Sequence, residues 1–252
     1  MWRLPDDHSA PIITAAEQIR SARLARQMEL PPTAIVFFMG KGPALLAENY
    51  PAVELPERFP CFMNRRPILV MKDDPLCFRY GGEGAPHAAD TVETLAALGV
   101  KKILAVGMFG AFSPKVRLGD IIAPEKAFVE EGVSLHYYES IDFSTPDPDM
   151  HRRVSSLLKK PAYPLVTSDA VYRQTFRKEQ LWREKGAVGV EMETSAVFSV
   201  SRYLGVQAAA LLTASDAHPL APGAPPWDWA MTGDMRQALV EQSVLAARAM
   251  AE

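Results

Sequence analysis

Three acidic side chains towards the end of the chain have types and spacing that suit chemistry on a small polar ligand. Glu191 and Glu193 lie in VGVEMETSAVF, where a short apolar run changes into a helical pattern. Asp216 follows residues 208–212, whose composition is that of a buried strand. A carboxylate can accept hydrogen bonds from sugar hydroxyls, whereas a carboxylic acid can donate a proton if burial raises its pKa.

Each of these residues also has a structural explanation. Glu193 at a helix start complements the helix dipole, and Asp216 at the start of a loop can cap the backbone. Met192 is of a type common in cores, although its polarizable thioether also suits contact with a sugar or a base. Taken one at a time, these residues leave the choice between structure and function open.

The hydrophobic pattern predicts the elements that position these side chains. Apolar runs at residues 34–38, 68–71, 103–106 and 165–168 predict strands, and they alternate with helical patterns. The carboxyl ends of such strands are where open α/β sheets bind ligands. We expect residues 1–33 to form an N-terminal extension that contains a helix. Residues 34–252 are expected to form a single domain.

Composition narrows the class of protein. The net charge of −3 argues against a nucleic-acid binder, which usually has a basic excess. Cys61 and Cys77 have no metal-ligand spacing, so no metal is expected. No apolar run approaches the roughly 18 residues that a membrane span needs, and the N-terminus lacks the order of a signal peptide. We expect a cytoplasmic protein.

Several motifs together resemble one known family. EMET followed by a helix, a strand and SD is similar to the nucleoside phosphorylase and nucleosidase superfamily, in the branch of hexameric purine nucleoside phosphorylases and uridine phosphorylases. GGEGAPHAADTVETLAALGVKKILAVGMFGAF resembles that family's glycine-rich turn, helix and phosphate strand. The resemblance implies an α/β fold of three layers, α/β/α, with a mixed central sheet. It also implies a homo-oligomer, either a dimer or a trimer of dimers.

For the ligand, the resemblance implies a nucleoside. Glu193 would hold the ribose hydroxyls, and Asp216 would protonate the leaving base, which favours a purine over uracil. Purine enzymes of the family stack an aromatic ring on the base where this chain has the smaller Val171, next to Tyr172. The ribose- and base-binding residues implied are Glu193, Met192, Glu191, Tyr172 and Val171.

The site of the nucleophile departs from the family's pattern. Phosphorolytic relatives have an arginine where Ala105 stands and a serine or threonine where Met108 stands, and these groups bind phosphate through charge-assisted hydrogen bonds. A second arginine is missing near Ala44. Arg58 would reach the phosphate site of a neighbouring subunit, or it is a solvated surface residue. The anion-loop candidates are Gly40, Lys41, Gly82, Gly84, Gly107, Met108 and Arg58.

Three functions therefore stay open at this point. The protein is a nucleoside phosphorylase that takes phosphate as co-substrate and needs no cofactor, a nucleosidase that uses water, or a nucleoside-binding relative without catalysis. Glu83 and His87 have open roles in the glycine-rich turn, as a loop carboxylate and a helix cap or as ligand contacts. After Asp216, a proline-rich segment with Trp227 and Trp229 predicts a flap over the pocket.

Overall fold

One mixed sheet runs through the protein in a computed structural model that describes residues 9–21, 28 and 30–251. The strands are β1 (Thr33–Phe37), β2 (Ala52–Glu54), β3 (Ile68–Met71), β4 (Leu76–Tyr80), β5 (Lys102–Ala111), β6 (Ile121–Ile122), β7 (Lys126–Glu130), β8 (Phe143–Ser144), β9 (Pro164–Ser168), β10 (Gly189–Glu191) and β11 (Gln207–Ala217). The α-helices are α1 (Ala15–Ser21), α2 (Gly42–Asn49), α3 (Ala85–Ala97), α4 (Pro148–Ser156), α5 (Phe176–Glu184), α6 (Thr194–Tyr203) and α7 (Gly233–Ala251).

Helices cover both faces of this sheet. Successive residues of a strand point to opposite faces, and β1 shows this directly. Ala34 and Val36 belong to one hydrophobic cluster, together with buried residues of α3 and α6. Ile35 and Phe37 belong to a second cluster with α2, α4 and α7. The predicted three-layer α/β fold with a mixed central sheet is therefore confirmed.

Strand β5 is shared by two parts of the sheet. Strand β11 pairs with it in parallel from Lys102 to Ala111 and so occupies one whole edge. On the other edge, β1 pairs in parallel as far as Val106, and β10 then pairs in the antiparallel direction at Gly110 and Ala111. Residues 107–109 therefore lie in a gap between the ladders of β1 and β10.

The sequence pattern predicted some elements better than others. The apolar runs at 34–38, 68–71, 103–106 and 165–168 correspond to β1, β3, β5 and β9. The helix predicted in the N-terminal extension is present as α1, and residues 22–27 lie outside the described part of the chain. The boundary between residues 33 and 34 stays a prediction. Among the described residues, no helix combines the length and apolarity that crossing a bilayer needs.

Arg79 on β4 is a fully buried cation that holds the irregular segment between β2 and β3. Its Nη2 donates to the carbonyl oxygens of Asn64 and Arg66 at 2.7 and 3.4 Å. Its guanidinium lies 3.6 Å from the centre of the Phe59 ring, a cation–π contact. Burial lowers the pKa of Arg79. The sequence pattern did not predict β4, nor did it predict this anchor.

Candidate active site

A cleft is expected at the point along β5 where its pairing partner changes from β1 to β10, because loops from both of these strands leave the sheet there. The N–H of Phe38, just after β1, donates to the carbonyl of Val106 at 2.7 Å, and the N–H of Gly81, just after β4, donates to the carbonyl of Phe37 at 2.8 Å. The carboxyl ends of β1, β4 and the first half of β5 thus lie side by side. They carry the predicted anion-loop residues Gly40, Lys41, Gly82, Gly84, Gly107 and Met108.

Glu193 faces this group of loops from β10 and α6. It is the N-cap residue of α6, but its side chain makes no capping bond to that helix. Instead, Oε1 accepts a hydrogen bond of 2.6 Å from the N–H of Gly84, the N-cap residue of α3. Gly84 has a φ of +81°, which a residue with a side chain rarely adopts. The sequence therefore brings Glu193 and the glycine-rich turn together across two helix starts.

Glu191 is buried, and its carboxylate holds the start of α6. Oε2 accepts hydrogen bonds from the N–H groups of Glu193 and Thr194 at 2.8 and 2.7 Å, and from the Thr194 hydroxyl at 2.8 Å. Oε1 accepts a bond from the hydroxyl of Thr167 on β9. Because these bonds engage both oxygens, Glu191 positions Glu193 in this structure. The contact with the helix start, which was one explanation for Glu193 in the sequence, is therefore made by Glu191.

Both glutamates have raised pKa values. Burial, together with the neighbouring Glu191 carboxylate, raises the pKa of Glu193 to about 8. Burial also raises the pKa of Glu191, against the effect of the hydrogen bonds that it accepts. Met192 lies between them, and its Cε comes within 3.9 Å of where a Cβ at Gly84 would lie. Met192 is therefore at the wall of the cleft, next to the glycine-rich turn.

Asp216 is buried on β11 and is fully hydrogen-bonded. Oδ1 accepts from the hydroxyl of Ser215 at 2.6 Å, and Oδ2 accepts from the indole N–H of Trp227 at 2.6 Å. His218 Nε2 lies 3.4 Å from Oδ2. Burial acts to raise the pKa of Asp216, but these three partners outweigh it and lower the pKa below the ordinary value. The expectation that the pKa of Asp216 is raised overall is therefore wrong for this structure.

His218 joins Asp216 to a second buried carboxylate. Its Nδ1 lies 2.6 Å from Oε1 of Glu179, which is buried on α5. Desolvation acts to lower the pKa of His218, but its bonds to Asp216 and Glu179 raise it to about 9. The sequence pattern did not predict Glu179, because it lies 39 residues from His218 and on an amphipathic helix. The position of His218 two residues after Asp216 was the available signal.

The base-side candidates line a mostly apolar cavity of about 520 Å³ next to this histidine. Tyr172 is almost fully exposed at its rim, and Val171 is half exposed. Trp229 forms an isolated β-bridge with Asp216, so that the segment after β11 folds back over it. The segment predicted to form a flap therefore covers Asp216, and its role over a ligand stays a prediction. The cavity is lined by Val171, Tyr172, Gln174, Thr175, Phe176, Glu179, His218, Pro219 and Trp227.

The remaining candidates lie at the edges of the site. The side chain of Lys41 is exposed at the start of α2. Met108 packs in part against the cluster that contains α7. Arg58 is exposed and lines a different pocket of about 230 Å³, next to Gln18 of α1. Within one chain, Arg58 is not brought to the cleft, and its predicted role in a neighbouring subunit stays a prediction.

Glu83 and His87 are occupied inside the glycine-rich turn. The carboxylate of Glu83 accepts a hydrogen bond from the hydroxyl of Tyr80 at 2.9 Å. The ring nitrogen Nδ1 of His87 lies 3.0 Å from the backbone N of Glu83. A side chain at Gly82, where φ is +94°, would overlap the His87 ring. Both residues therefore shape the turn that presents Gly84 to Glu193.

Comparison with known sequences places the chain in one family. The model of the phosphorylase superfamily matches residues 32–250. A guanosine phosphorylase of Halorubrum lacusprofundi is 31% identical over 138 residues, which cover 52% of this chain and 57% of the relative. A DeoD-type purine nucleoside phosphorylase of Clostridium beijerinckii is 30% identical over 137 residues, or 49% of this chain and 55% of the relative. The chain thus spans little more than half the length of these relatives.

Solved structures share the fold across most of the chain. A uridine phosphorylase from Vibrio fischeri has a TM-score of 0.72 at 22% identity, over 88% of this chain and 93% of its own. A purine nucleoside phosphorylase from Toxoplasma gondii, in complex with immucillin-H, has a TM-score of 0.73 at 19% identity, over 88% and 91%. At these identities the likeness shows the fold. Because the family model matches from residue 32 to residue 250, the chain belongs to the phosphorylase superfamily.

Proposed function

We propose that the chain cleaves the N-ribosidic bond of a purine nucleoside, with inorganic phosphate as the nucleophile and without a cofactor. The observation that carries the proposal is the pairing of Val190 and Asp216 with Gly110 from opposite edges of β5. This pairing sets the strand that leads to Glu193 and the strand that carries Asp216 on opposite sides of β5. The names of the two relatives that are 31% and 30% identical favour a phosphorylase over a hydrolase, and a purine over a pyrimidine.

On the sugar side, Glu193 accepts hydrogen bonds from the two ribose hydroxyls, while Met192 packs against the sugar. Bond cleavage builds positive charge on the ribose, and the ionised form of Glu193, which becomes the major form above about pH 8, stabilises that charge. Glu191 fixes the position of Glu193 through the bonds at the start of α6. The base lies towards Asp216, with Val171, Tyr172 and the flap around it.

On the phosphate side, the chain lacks polar side chains at Ala105 and Met108. Backbone N–H groups at Gly40, Gly82 and Gly107, residues that carry no side chain of their own, take over part of the contact with the anion. Lys41 adds a positive charge at the start of α2. Arg58 of a second copy in a homo-oligomer, a dimer or a trimer of dimers, completes the site, because Arg58 is exposed and remote from the cleft of its own chain.

The test measures base release from a panel of purine and pyrimidine nucleosides, with and without phosphate at equal ionic strength. We expect purine release only with phosphate, together with one ribose 1-phosphate for each base. Glu193→Gln is expected to lower kcat/KM by about 10²-fold, since it removes the charge near the sugar. Glu184→Gln, at an exposed position of α5, serves as the matched control and is expected to change nothing.

Other outcomes contradict parts of the proposal. Release that does not depend on phosphate would make the protein a hydrolase. Release from uridine but from no purine nucleoside would overturn the base assignment. Binding without release from any nucleoside would leave a non-catalytic relative, and an unchanged kcat/KM in Glu193→Gln would remove that residue from the sugar site.

A further inference from the structure

Glu179, His218 and Asp216 form a line of three titratable groups at the base side of the cleft. The imidazole contacts both carboxylates, at 2.6 Å through Nδ1 and at 3.4 Å through Nε2. Both carboxylates are buried, and the side chain of His218 is 15% exposed. A cation between two buried anions is a stable arrangement, whereas loss of the cation would leave the two carboxylates uncompensated.

The surroundings of His218 hold it in the protonated form. Helix α5 contributes Glu179, and Arg183 of the same helix lies 3.9 Å from Glu179 and offsets part of its charge. Strand β11 contributes Asp216, and the flap contributes the N–H of Trp227, which donates to Asp216. Because the bonds to Glu179 and Asp216 raise the pKa of His218 to about 9, its ring carries a proton at neutral pH. Asp216, whose pKa is lowered, carries none at neutral pH.

A leaving purine needs a proton on a ring nitrogen, and an ionised Asp216 has none to give. We propose that His218 is the source of this proton, which passes from Nε2 through the Asp216 carboxylate to N7 of the base, while Glu179 holds the ring through Nδ1. The inference rests on the proposed function and adds a residue to it. Glu179 is a positioning residue, because it acts only through His218.

The step balances without any further reactant. The bond between C1′ and N9 breaks, and its electron pair stays with the base, which takes one proton at N7. A phosphate oxygen forms the new bond to C1′. Asp216 receives one proton from His218 for the one that it passes on. His218 regains its proton through water in the cavity of about 520 Å³ that it lines, and that proton is the one that hydrogen phosphate releases when its oxygen bonds to C1′.

The experiment compares two substrates that differ in their need for a proton. One is the purine nucleoside that the wild-type protein cleaves fastest, and the other is 7-methylguanosine, whose base already carries a positive charge. We expect His218→Gln to lower kcat for the first substrate by about 10²-fold, the typical contribution of general acid catalysis. Its kcat for 7-methylguanosine is expected to stay within about threefold, since this base needs no proton. His151→Gln, on α4, is the matched control.

Glu179→Gln provides a second variant and a second readout. It removes one of the two carboxylates that raise the pKa of His218, so the loss of kcat at high pH should move from near pH 9 towards lower pH. A purely structural role for Glu179 would lower stability or kcat but would leave the pH profile in place.

Each outcome decides the matter. Equal losses on both substrates in His218→Gln, or an unchanged pH profile in Glu179→Gln, would overturn the proton route while the proposed function stands. Absence of base release by the wild-type protein on every nucleoside would overturn both. Circular dichroism and thermal unfolding identify a variant that fails to fold, in which case the remaining variant decides.

Discussion

The imidazole of His218 occupies the space that a side chain at Gly110 would need. A Cβ built at this glycine would overlap His218 Nε2 and lie 3.2 Å from Oδ2 of Asp216. Position 110 therefore requires glycine because of a histidine that lies 108 residues further along the chain. No local rule of strand formation would predict this requirement.

Gly110→Ala should displace His218 from Asp216. A misplacement of about 1 Å in a catalytic group can lower the rate by about 10²-fold. We therefore expect kcat to fall by between about tenfold and about 10²-fold. Steady-state kinetics provide the measurement, and NMR of the histidine ring would show its pKa falling from about 9. Gly233→Ala is the control, since a Cβ there meets no atom within 4 Å. Unchanged kinetics in Gly110→Ala would contradict the packing described here.

Glu191→Ala should destabilise the protein through the start of α6. The change removes the acceptor for two N–H groups and for two hydroxyls inside the protein. Each buried donor left unpaired costs about 1–3 kcal/mol. Because the protein around these donors can relax in part, we expect the free energy of unfolding to fall by about 3 kcal/mol in total. Urea unfolding measures it. Glu48→Ala, exposed on α2, should stay within about 0.5 kcal/mol.

Glu193 should make stability depend on pH. Its pKa is about 8 in the folded protein and 4.5 ordinarily, so the folded state binds the extra proton between these values. The stability that this proton provides is fully present below about pH 4.5 and is lost as the pH rises through about 8. Between these values, the melting temperature of the wild type should therefore fall more steeply than that of Glu193→Gln. Parallel curves in differential scanning calorimetry would show that Glu193 does not titrate here.

Arg79→Met should loosen the segment between β2 and β3. The guanidinium donates to the carbonyls of Asn64 and Arg66, and each hydrogen bond from a charged group contributes about 1.5–3 kcal/mol. We expect faster hydrogen exchange at Phe62 and Met63, which lie in this segment, and a loss of about 3 kcal/mol in the free energy of unfolding. Arg177→Met, exposed on α5, should leave both unchanged. Normal exchange in Arg79→Met would mean that Asp90, which accepts from both amides, suffices.

The sequence predicted that Glu193 and Asp216 each follow an apolar strand; Glu193 does follow β10, whereas Asp216 lies within β11, which continues to Ala217. The sequence did not predict how the two strands meet, because β10 runs antiparallel to β5 while β11 runs parallel to it. The pKa of Asp216 was predicted with the wrong sign, since its direction depends on His218 and on Trp227 in the flap. Trp227 reaches Asp216 only through the fold, so local patterns carry no signal for it, whereas the position of His218 two residues after Asp216 was a local signal.

At the gap of residues 107–109, the backbone of β5 forms a floor, and the turns and helix starts around it form walls. The path of this floor is set by the pairing of β5 with β11, and not by the side chains of Ala105 and Met108. The walls are turns and helix starts that end in Gly84, Glu193 and the flap. Substitutions on the walls can therefore change the shape of the cleft without rebuilding the sheet, because the pairing of β5 with β11 does not depend on them.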